Sequence, residues 1–130
     1  MILAIRTDAP TVFFELFNEL GEKIGDKQWL AERRLARDLL AQLEEFLGEH
    51  GGNWEVLSGL VVYRGPGSFT GLRIGITVMN TIAYGGSLPI VGETGDTWSS
   101  DGVARLAQGE NDRMVMPEYG APARITQQRK

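Results

Sequence analysis

The sequence predicts an α/β fold built on one mixed, five-stranded sheet, and three observations support this. Three short apolar segments joined by tight turns come first, as in an antiparallel meander. The hydrophobic period then lengthens to that of an amphipathic helix. A strand, a glycine-rich loop, a helix and another strand follow, an order that implies right-handed crossovers and parallel pairing. A length of 130 residues is typical of one domain.

The meander comes first along the chain. Residues 2–5 form a continuous apolar run, which is typical of a central strand buried on both faces. Residues 11–17 alternate in the pattern of a second strand, with a row of apolar side chains on one face. After a turn at residues 18–22, residues 23–29 form a weaker third strand.

The first predicted helix covers residues 32–47, where leucine and phenylalanine recur every three or four positions. Charged side chains take its outer face, and Gly48 and the Gly51-Gly52 pair end it, because glycine commonly follows the last helical turn. Residues 53–58 are expected to add a further helical turn.

Strand and helix then alternate in the second half of the chain. Residues 60–63 form a buried strand, residues 70–85 a long apolar helix, and residues 88–91 a fifth strand. Residues 97–108 are predicted to form the last helix. Beyond Asn111 we expect only loop and tail.

Composition and charge exclude several classes of protein. The chain has no cysteine, and its one histidine, His50, cannot build a histidine-based metal centre. A formal net charge of −4 argues against a protein that coats nucleic acid duplexes, because phosphate binding needs a basic face. No apolar run approaches the ~20 residues of a membrane span, and the N-terminus lacks the order of a signal peptide. We therefore expect a cytoplasmic protein without membrane contact.

The most distinctive motif is a glycine-rich loop between a strand and a helix. Its residues are Gly65, Pro66, Gly67, Ser68, Phe69, Thr70 and Gly71. Glycines let the backbone approach a ligand, and amides at a helix N-terminus attract anions. However, the spacing is not GxGxxG, and no Lys-Ser or Lys-Thr follows as in a P-loop. Two interpretations stay open: a small nucleotide- or phosphate-binding enzyme that uses residues 65–71, and a tight turn in which Ser68 or Thr70 caps the helix.

Three segments together resemble the bacterial TsaB (YeaZ) family: GPGSFTGLRIG with the preceding strand LVVYR, the opening MILAIRTD, and LPIVGET. They cover about residues 1–93. The resemblance implies an actin-like (RNase H-like) fold, of which only a single lobe fits here. We expect residues 1–93 to form that lobe, with an antiparallel meander, parallel strands and flanking helices. Residues 94–130 are expected to form a short helix and a basic C-terminal tail, with the second lobe absent.

The resemblance also implies a function. The family takes part in making threonylcarbamoyladenosine (t6A) in tRNA as a non-catalytic subunit, which binds and activates the catalytic paralogue TsaD, with TsaE as an accessory ATPase. For this chain it implies a scaffold without catalytic, cofactor-binding or metal-binding residues. The implied partner is TsaD in a heterodimer, with TsaE as a further candidate and tRNA contacted only through the complex. A homodimer of the isolated chain is an open alternative.

The chain departs from the family pattern at three points. Arg6 stands where the first strand is expected to carry an aspartate, which inverts the local charge. The residues after Val91 are too few for another five-stranded lobe, so no cleft between lobes is expected. His50 alone cannot form the paralogue's metal site, which needs two histidines four residues apart. All three departures favour a scaffold over an enzyme.

The helix after the loop is predicted to bind the partner. It carries two apolar stripes, the second through Ile74 and Val78, and a single charge. The predicted partner-interface residues are Leu72, Arg73, Ile76, Met79, Asn80, Ile82 and Ala83. The alternative is a helix buried on several sides in the chain's own core. We expect charged substitutions at Met79 and Ile82 to abolish partner binding and to leave the monomer folded.

The remaining candidates have structural interpretations beside functional ones. His50 lies at the end of the first helix, where the helix dipole favours it, and is expected to be structural or solvated. Asp8, Asp96 and Asp101 suit a metal nuclease only if they meet at adjacent strand ends. The expected core or interface anchors are Trp29, Trp54 and Trp98. The tail, residues 116–130, resembles the carboxyl-terminal segment of some family members, and its last seven residues carry three positive charges.

Overall fold

The computed structural model describes residues 1–118 and shows one five-stranded sheet flanked by helices. The elements are β1 (Ile2–Arg6), β2 (Thr11–Phe17), β3 (Lys23–Leu30), α1 (Leu35–Glu49), β4 (Gly59–Tyr63), α2 (Phe69–Gly86), β5 (Ile90–Glu93) and α3 (Trp98–Ala107). Short 3-10 turns at Glu32–Arg34 and Trp54–Val56 precede α1 and β4. The strand order is β3-β2-β1-β4-β5.

Strand pairing confirms the predicted fold class. β1, β2 and β3 form the antiparallel meander, and β1–β4 and β4–β5 are parallel pairs. The central strands β1 and β4 are almost wholly buried, as their unbroken apolar sequences predict. The sheet is therefore mixed, with the antiparallel meander on one side and the parallel strands on the other.

The helices cover the two faces of the sheet unequally. On one face lie α1 and α2, which pack against each other; Phe46 of α1 stands 5.6 Å from Phe14 of β2, centroid to centroid. On the other face, among residues 1–118, α3 is the one helix, packed against β4 and β5. Gly102 lets α3 approach the sheet, because a Cβ there would collide with the side chain of Val61.

Helix α1 and strand β5 differ from the sequence prediction by two residues or more, each for a backbone reason. Helix α1 runs through Gly48, which was predicted to end it, and stops at Glu49, because Gly51, with a φ of 76°, takes the left-handed position after the helix. Helix α1 begins at Leu35 instead of residue 32, because Glu32 has a φ of 50°, outside the helical range. Strand β5 begins two residues late, at Ile90, because the N–H of Leu88 donates to the carbonyl of Ala83 and closes the end of α2.

Residues 111–118, which we call the strap, were predicted as loop and tail but hold a defined position. Asp112 N–H donates to the Ile90 carbonyl at 2.8 Å, and Gly92 N–H donates to the Asp112 carboxylate at 2.9 Å. Glu118 N–H donates to the Arg64 carbonyl at 2.6 Å. The strap thus follows the outer edge of β5 and satisfies backbone groups that an edge strand would leave unpaired.

Two further expectations concern the tail and the membrane. Most of the predicted basic tail, residues 119–130, lies outside the described residues. In the part of the chain that the structure describes, no helix combines the length and the apolar character that spanning a bilayer requires.

Candidate functional site

The glycine-rich loop, residues 65–71, leaves the end of β4 and enters the first turn of α2. Gly65 has a φ of 123°, a conformation that suits glycine, and the carbonyl of Glu118 lies where its Cβ would be. The Tyr63 hydroxyl donates to the Pro66 carbonyl at 2.8 Å. Contacts within the chain therefore fix the first part of the loop.

Glycines in this region face the end of β1. A Cβ on Gly67 would meet the side chain of Asp8, and a Cβ on Gly71 would meet the carbonyl of Thr7. A Cβ on Gly75, one helical turn further, would meet the Thr7 side chain. The Thr7 hydroxyl also donates to the Gly71 carbonyl at 2.7 Å. These glycines admit Thr7 and Asp8 of the same chain at positions where a phosphate loop would admit a ligand.

This packing bears on the two interpretations of the loop. Ser68 stands at the N-cap of α2 without a side-chain cap hydrogen bond, so the prediction that its hydroxyl caps the helix is wrong. Its N–H instead donates to the Asp8 carbonyl at 3.0 Å. The Asp8 side chain also fills the space beside Gly67 through which a phosphate would approach. The geometry favours a packed turn over an anion-binding loop.

Arg6, the residue found where the family pattern has an aspartate, is held by its neighbours. Its Nε donates to Asp8 Oδ1 at 2.7 Å, and its guanidinium carbon stands 3.8 Å from the centroid of the Tyr63 ring. The hydrogen bond with Asp8 raises the pKa of Arg6. Burial of the phenol raises the pKa of Tyr63 as well. Arg6 therefore compensates the charge of Asp8. The Arg6–Asp8 pair and the contact with Tyr63 hold the end of β1 in place.

Helix α2 has an inner face that belongs to the core of the chain. Four of the predicted interface residues lie on it and are buried: Leu72, Ile76, Met79 and Ala83. Met79 is 0% exposed, so a charged substitution there would enter the core. The prediction that Met79 tolerates charge in the monomer is therefore wrong. A partner cannot reach these four side chains while the fold is intact.

The outer face of α2 is open and forms an apolar groove with α1. Ile74, Val78 and Ile82 are half-buried along it, and Ile82 is one of the predicted interface residues. Two hollows of about 350 Å³ and 440 Å³ lie on this surface, the first reaching Ala36 and the second Leu40 of α1. Leu40 is 51% exposed and Tyr84 is 91% exposed. We call this the α1/α2 surface.

Two predicted interface residues lie at the border of the α1/α2 surface. Arg73 is exposed, and its guanidinium carbon stands 5.3 Å from the centroid of the Phe69 ring. Asn80 is engaged by the strap: its side chain donates to the Val115 carbonyl at 3.0 Å and accepts from the Val115 N–H at 2.9 Å. Asn80 therefore joins α2 to the strap and is not free for a partner.

The other candidates take structural positions. His50 lies edge-on to Phe46 at 5.0 Å, and its ring fills the space above Gly25 of β3. Among residues 1–118, no group of three or more histidine and acidic side chains lies close enough to hold a metal ion, so the carboxylate cluster does not assemble. Of the tryptophans, Trp98 is buried against Tyr63, while Trp29 and Trp54 are half-buried.

The strap is the feature that sequence reasoning missed. Arg105 of α3 fixes it through a short contact with Asp112, while also pairing with Glu93 at 2.7 Å and Glu110 at 2.8 Å. Burial alone would raise the pKa of Asp112, but hydrogen bonds from Arg105 and the Gly92 N–H lower it. The available signal was Asn80, an amide side chain in a helix of mostly apolar residues.

Comparison with known proteins places these features in a family. The family model for TsaD, described as tRNA N6-adenosine threonylcarbamoyltransferase, matches residues 29–94, which include α1, the glycine-rich loop and α2. The solved structure of YeaZ from Pseudomonas aeruginosa superposes with a TM-score of 0.65 at 28% identity, over 72% of this chain and 43% of that one.

Two curated relatives are both described as tRNA threonylcarbamoyladenosine biosynthesis protein TsaB. The Haemophilus influenzae protein is 33% identical over 91 residues, which are 70% of this chain and 38% of the relative. The Escherichia coli protein is 29% identical over 119 residues, which are 87% of this chain and 51% of the relative. The chain thus spans about half or less of the length of the curated relatives it matches.

Proposed function

This chain belongs to the TsaB (YeaZ) family of t6A biosynthesis proteins, and from that premise we propose that it is a non-catalytic subunit that docks a TsaD-type paralogue through the α1/α2 surface. The proposed partner is the threonylcarbamoyltransferase itself. In this proposal tRNA is contacted only through the complex, which TsaE joins as an accessory.

The observation that carries the proposal is the apolar outer face of α2. A helix that served only to cover the sheet would show one apolar face and one charged face. Here the face turned away from the sheet keeps Ile74, Val78 and Ile82 in an open groove, beside the exposed Leu40 and Tyr84. Exposed apolar surface of this kind commonly marks a protein interface.

Two observations support a scaffold role over an enzymatic one. The whole sequence contains a single histidine and no cysteine, which leaves few groups for acid–base or nucleophilic chemistry near neutral pH. His50, the histidine in question, is held between Phe46 and the backbone of β3. The glycine-rich loop receives Thr7 and Asp8 of the same chain, which leaves it a structural part in positioning α2.

The test is complex formation between this chain and the TsaD of the same organism, measured by size-exclusion chromatography with light scattering. We expect a one-to-one complex with the wild-type chain and none with Val78→Asp or Tyr84→Asp. Leu20→Asp is the matched control, because Leu20 is 83% exposed but borders a hollow beside α3, on the opposite face of the sheet. A complex that survives both α2 substitutions would show that the partner docks elsewhere.

The same samples address the alternative of a phosphate-binding enzyme. A ligand that binds the native state alone raises the unfolding temperature by mass action. We expect ATP to leave the unfolding temperature of this chain unchanged. Stabilisation by ATP, lost in Gly67→Ala, would reopen the loop as a ligand site.

A further inference from the structure

The exposed apolar side chains of the described residues gather around α2 more than elsewhere. The large ones that are exposed are Leu20, Ile24, Leu30, Leu40, Phe69, Tyr84, Met114 and Met116. Five of these eight lie on α1, α2 and the strap, and two of the five, Met114 and Met116, are on the strap itself. The apolar surface beside α2 therefore has a second component that the α1/α2 groove does not include.

The strap borders one side of the outer face of α2. The backbone N–H and carbonyl of its Val115 both hydrogen-bond to the Asn80 side chain. On the helix Asn80 shares a stripe with Arg73, Thr77 and Tyr84, at spacings of seven, three and four residues. The groove with α1 lies on the other side of that stripe. The exposed stripe of α2 is thus flanked by α1 on one side and by the strap on the other.

The contacts that anchor the strap leave its two methionine side chains exposed to solvent. Val115 is buried against Gly92, where a Cβ would collide with it. The Arg64 Nε donates to the Met116 carbonyl at 2.8 Å, which holds the next residue. Met114 is 64% exposed and Met116 is 62% exposed, one on each side of the buried valine. A free tail would not hold two methionines in this alternation.

The charges near the methionines indicate what could cover them. Arg113 precedes Met114, and Arg73 lies on the bordering stripe of α2; within residues 1–118 neither forms a salt bridge. A complementary surface would therefore place an apolar face on the methionines and carboxylates on the arginines. Methionine suits such a contact because its unbranched side chain adapts to the shape of a partner.

We propose that the strap is a second wall of the docking surface, and that Met114 and Met116 contact the paralogue bound to α2 through an apolar helix edge flanked by acidic residues. The proposal rests on the proposed function, since the occupant is the same partner. It extends the interface to residues that lie in sequence far from the family motif.

The test is a titration of the full chain against the fluorescently labelled TsaD of the same organism. The strap variant carries Met114→Asp with Met116→Asp, Tyr84→Asp reports on the α1/α2 surface, and Leu20→Asp is the control. We expect the strap variant to raise Kd at least about tenfold and the control to stay within about twofold. A second strap variant with lysine at both positions should lose less affinity, because the expected partner edge is acidic.

The strap proposal and the proposed function fail in different, distinguishable ways. A strap variant that binds within about twofold of wild type, while Tyr84→Asp loses binding, overturns the strap proposal and leaves the proposed function intact. Wild-type affinity in both variants overturns the docking surface as a whole. A strap variant that loses only self-association, with unchanged affinity for TsaD, assigns the methionines to a second copy of this chain and contradicts the proposal. Thermal unfolding of the strap variant at the wild-type temperature shows that its fold is preserved. If it unfolds earlier, Met114→Ser with Met116→Ser replaces it, and the same loss of affinity for TsaD is expected.

Discussion

Helix α2 presents two apolar rows that differ in what lies against them. The inner row, with Met79 at its centre, packs against β4, β1 and β5 and completes the core. The outer row, with Val78 at its centre, lines an open groove beside α1. Neighbouring residues of similar hydrophobicity thus have different roles. The inner row is needed for folding, and the outer row is available to a partner.

The distinction between the inner and outer rows of α2 is tested most directly by placing a charge on each row in turn. Met79→Asp buries an unpaired carboxylate, which should cost about 4 kcal/mol or more and leave most of the chain unfolded. Val78→Asp, one residue away, should cost about 1 kcal/mol and leave the chain folded. Urea unfolding followed by circular dichroism measures both. Equal losses of stability would contradict the distinction between the rows.

The contact between α2 and the strap is tested at Asn80. Asn80→Ala removes both hydrogen bonds to the backbone of Val115 and leaves that N–H and carbonyl without partners. We expect a loss of about 2 kcal/mol in the free energy of unfolding. Hydrogen exchange should show faster exchange at Val115 and slow exchange retained in β4. Unchanged protection of Val115 would mean that the strap does not depend on α2.

The smallest expected effect concerns the charge that holds the start of the strap. The pKa of Asp112 is lowered below its ordinary value of 3.8 in the folded chain, so its contribution to stability is present above that pH and is lost as the pH falls through the folded pKa. Because Asp112 is partly exposed, Asp112→Asn should cost only about 1 kcal/mol at pH 7.

The control for this prediction is the pH dependence of the difference. The gap in the free energy of unfolding between wild type and Asp112→Asn should be constant above pH 5 or so and should shrink below about pH 4. A gap that persists unchanged in acid would show that Asp112 acts through packing and not through its charge.

Local patterns predicted most of the sheet and the helices. The alternation of β2 and the apolar runs of β1 and β4 placed these strands correctly to within a residue. The long apolar helix was also placed to within a residue at each end. Here the local signal suffices, because hydrophobic period and turn residues specify the element directly.

The burial of α2 and the position of the strap could not be read in this way. Which stripe of α2 faces the sheet depends on the approach of Gly71 and Gly75 to Thr7, residues far apart in sequence. The strap has no periodic pattern, and its anchors Asn80, Gly92 and Arg64 come from α2, β5 and the loop after β4. Long-range hydrogen bonds of irregular backbone leave almost no local signal.

The central claim is that a TsaD-type paralogue covers the outer face of α2, and thiol labelling tests it most directly. The chain has no cysteine, so Tyr84→Cys and Leu20→Cys each introduce a single exposed thiol. Maleimide labelling of each variant is followed by mass spectrometry with and without the paralogue. We predict labelling at least about tenfold slower at position 84 in the complex and unchanged at position 20. Equal rates at position 84 with and without the bound paralogue would contradict the account.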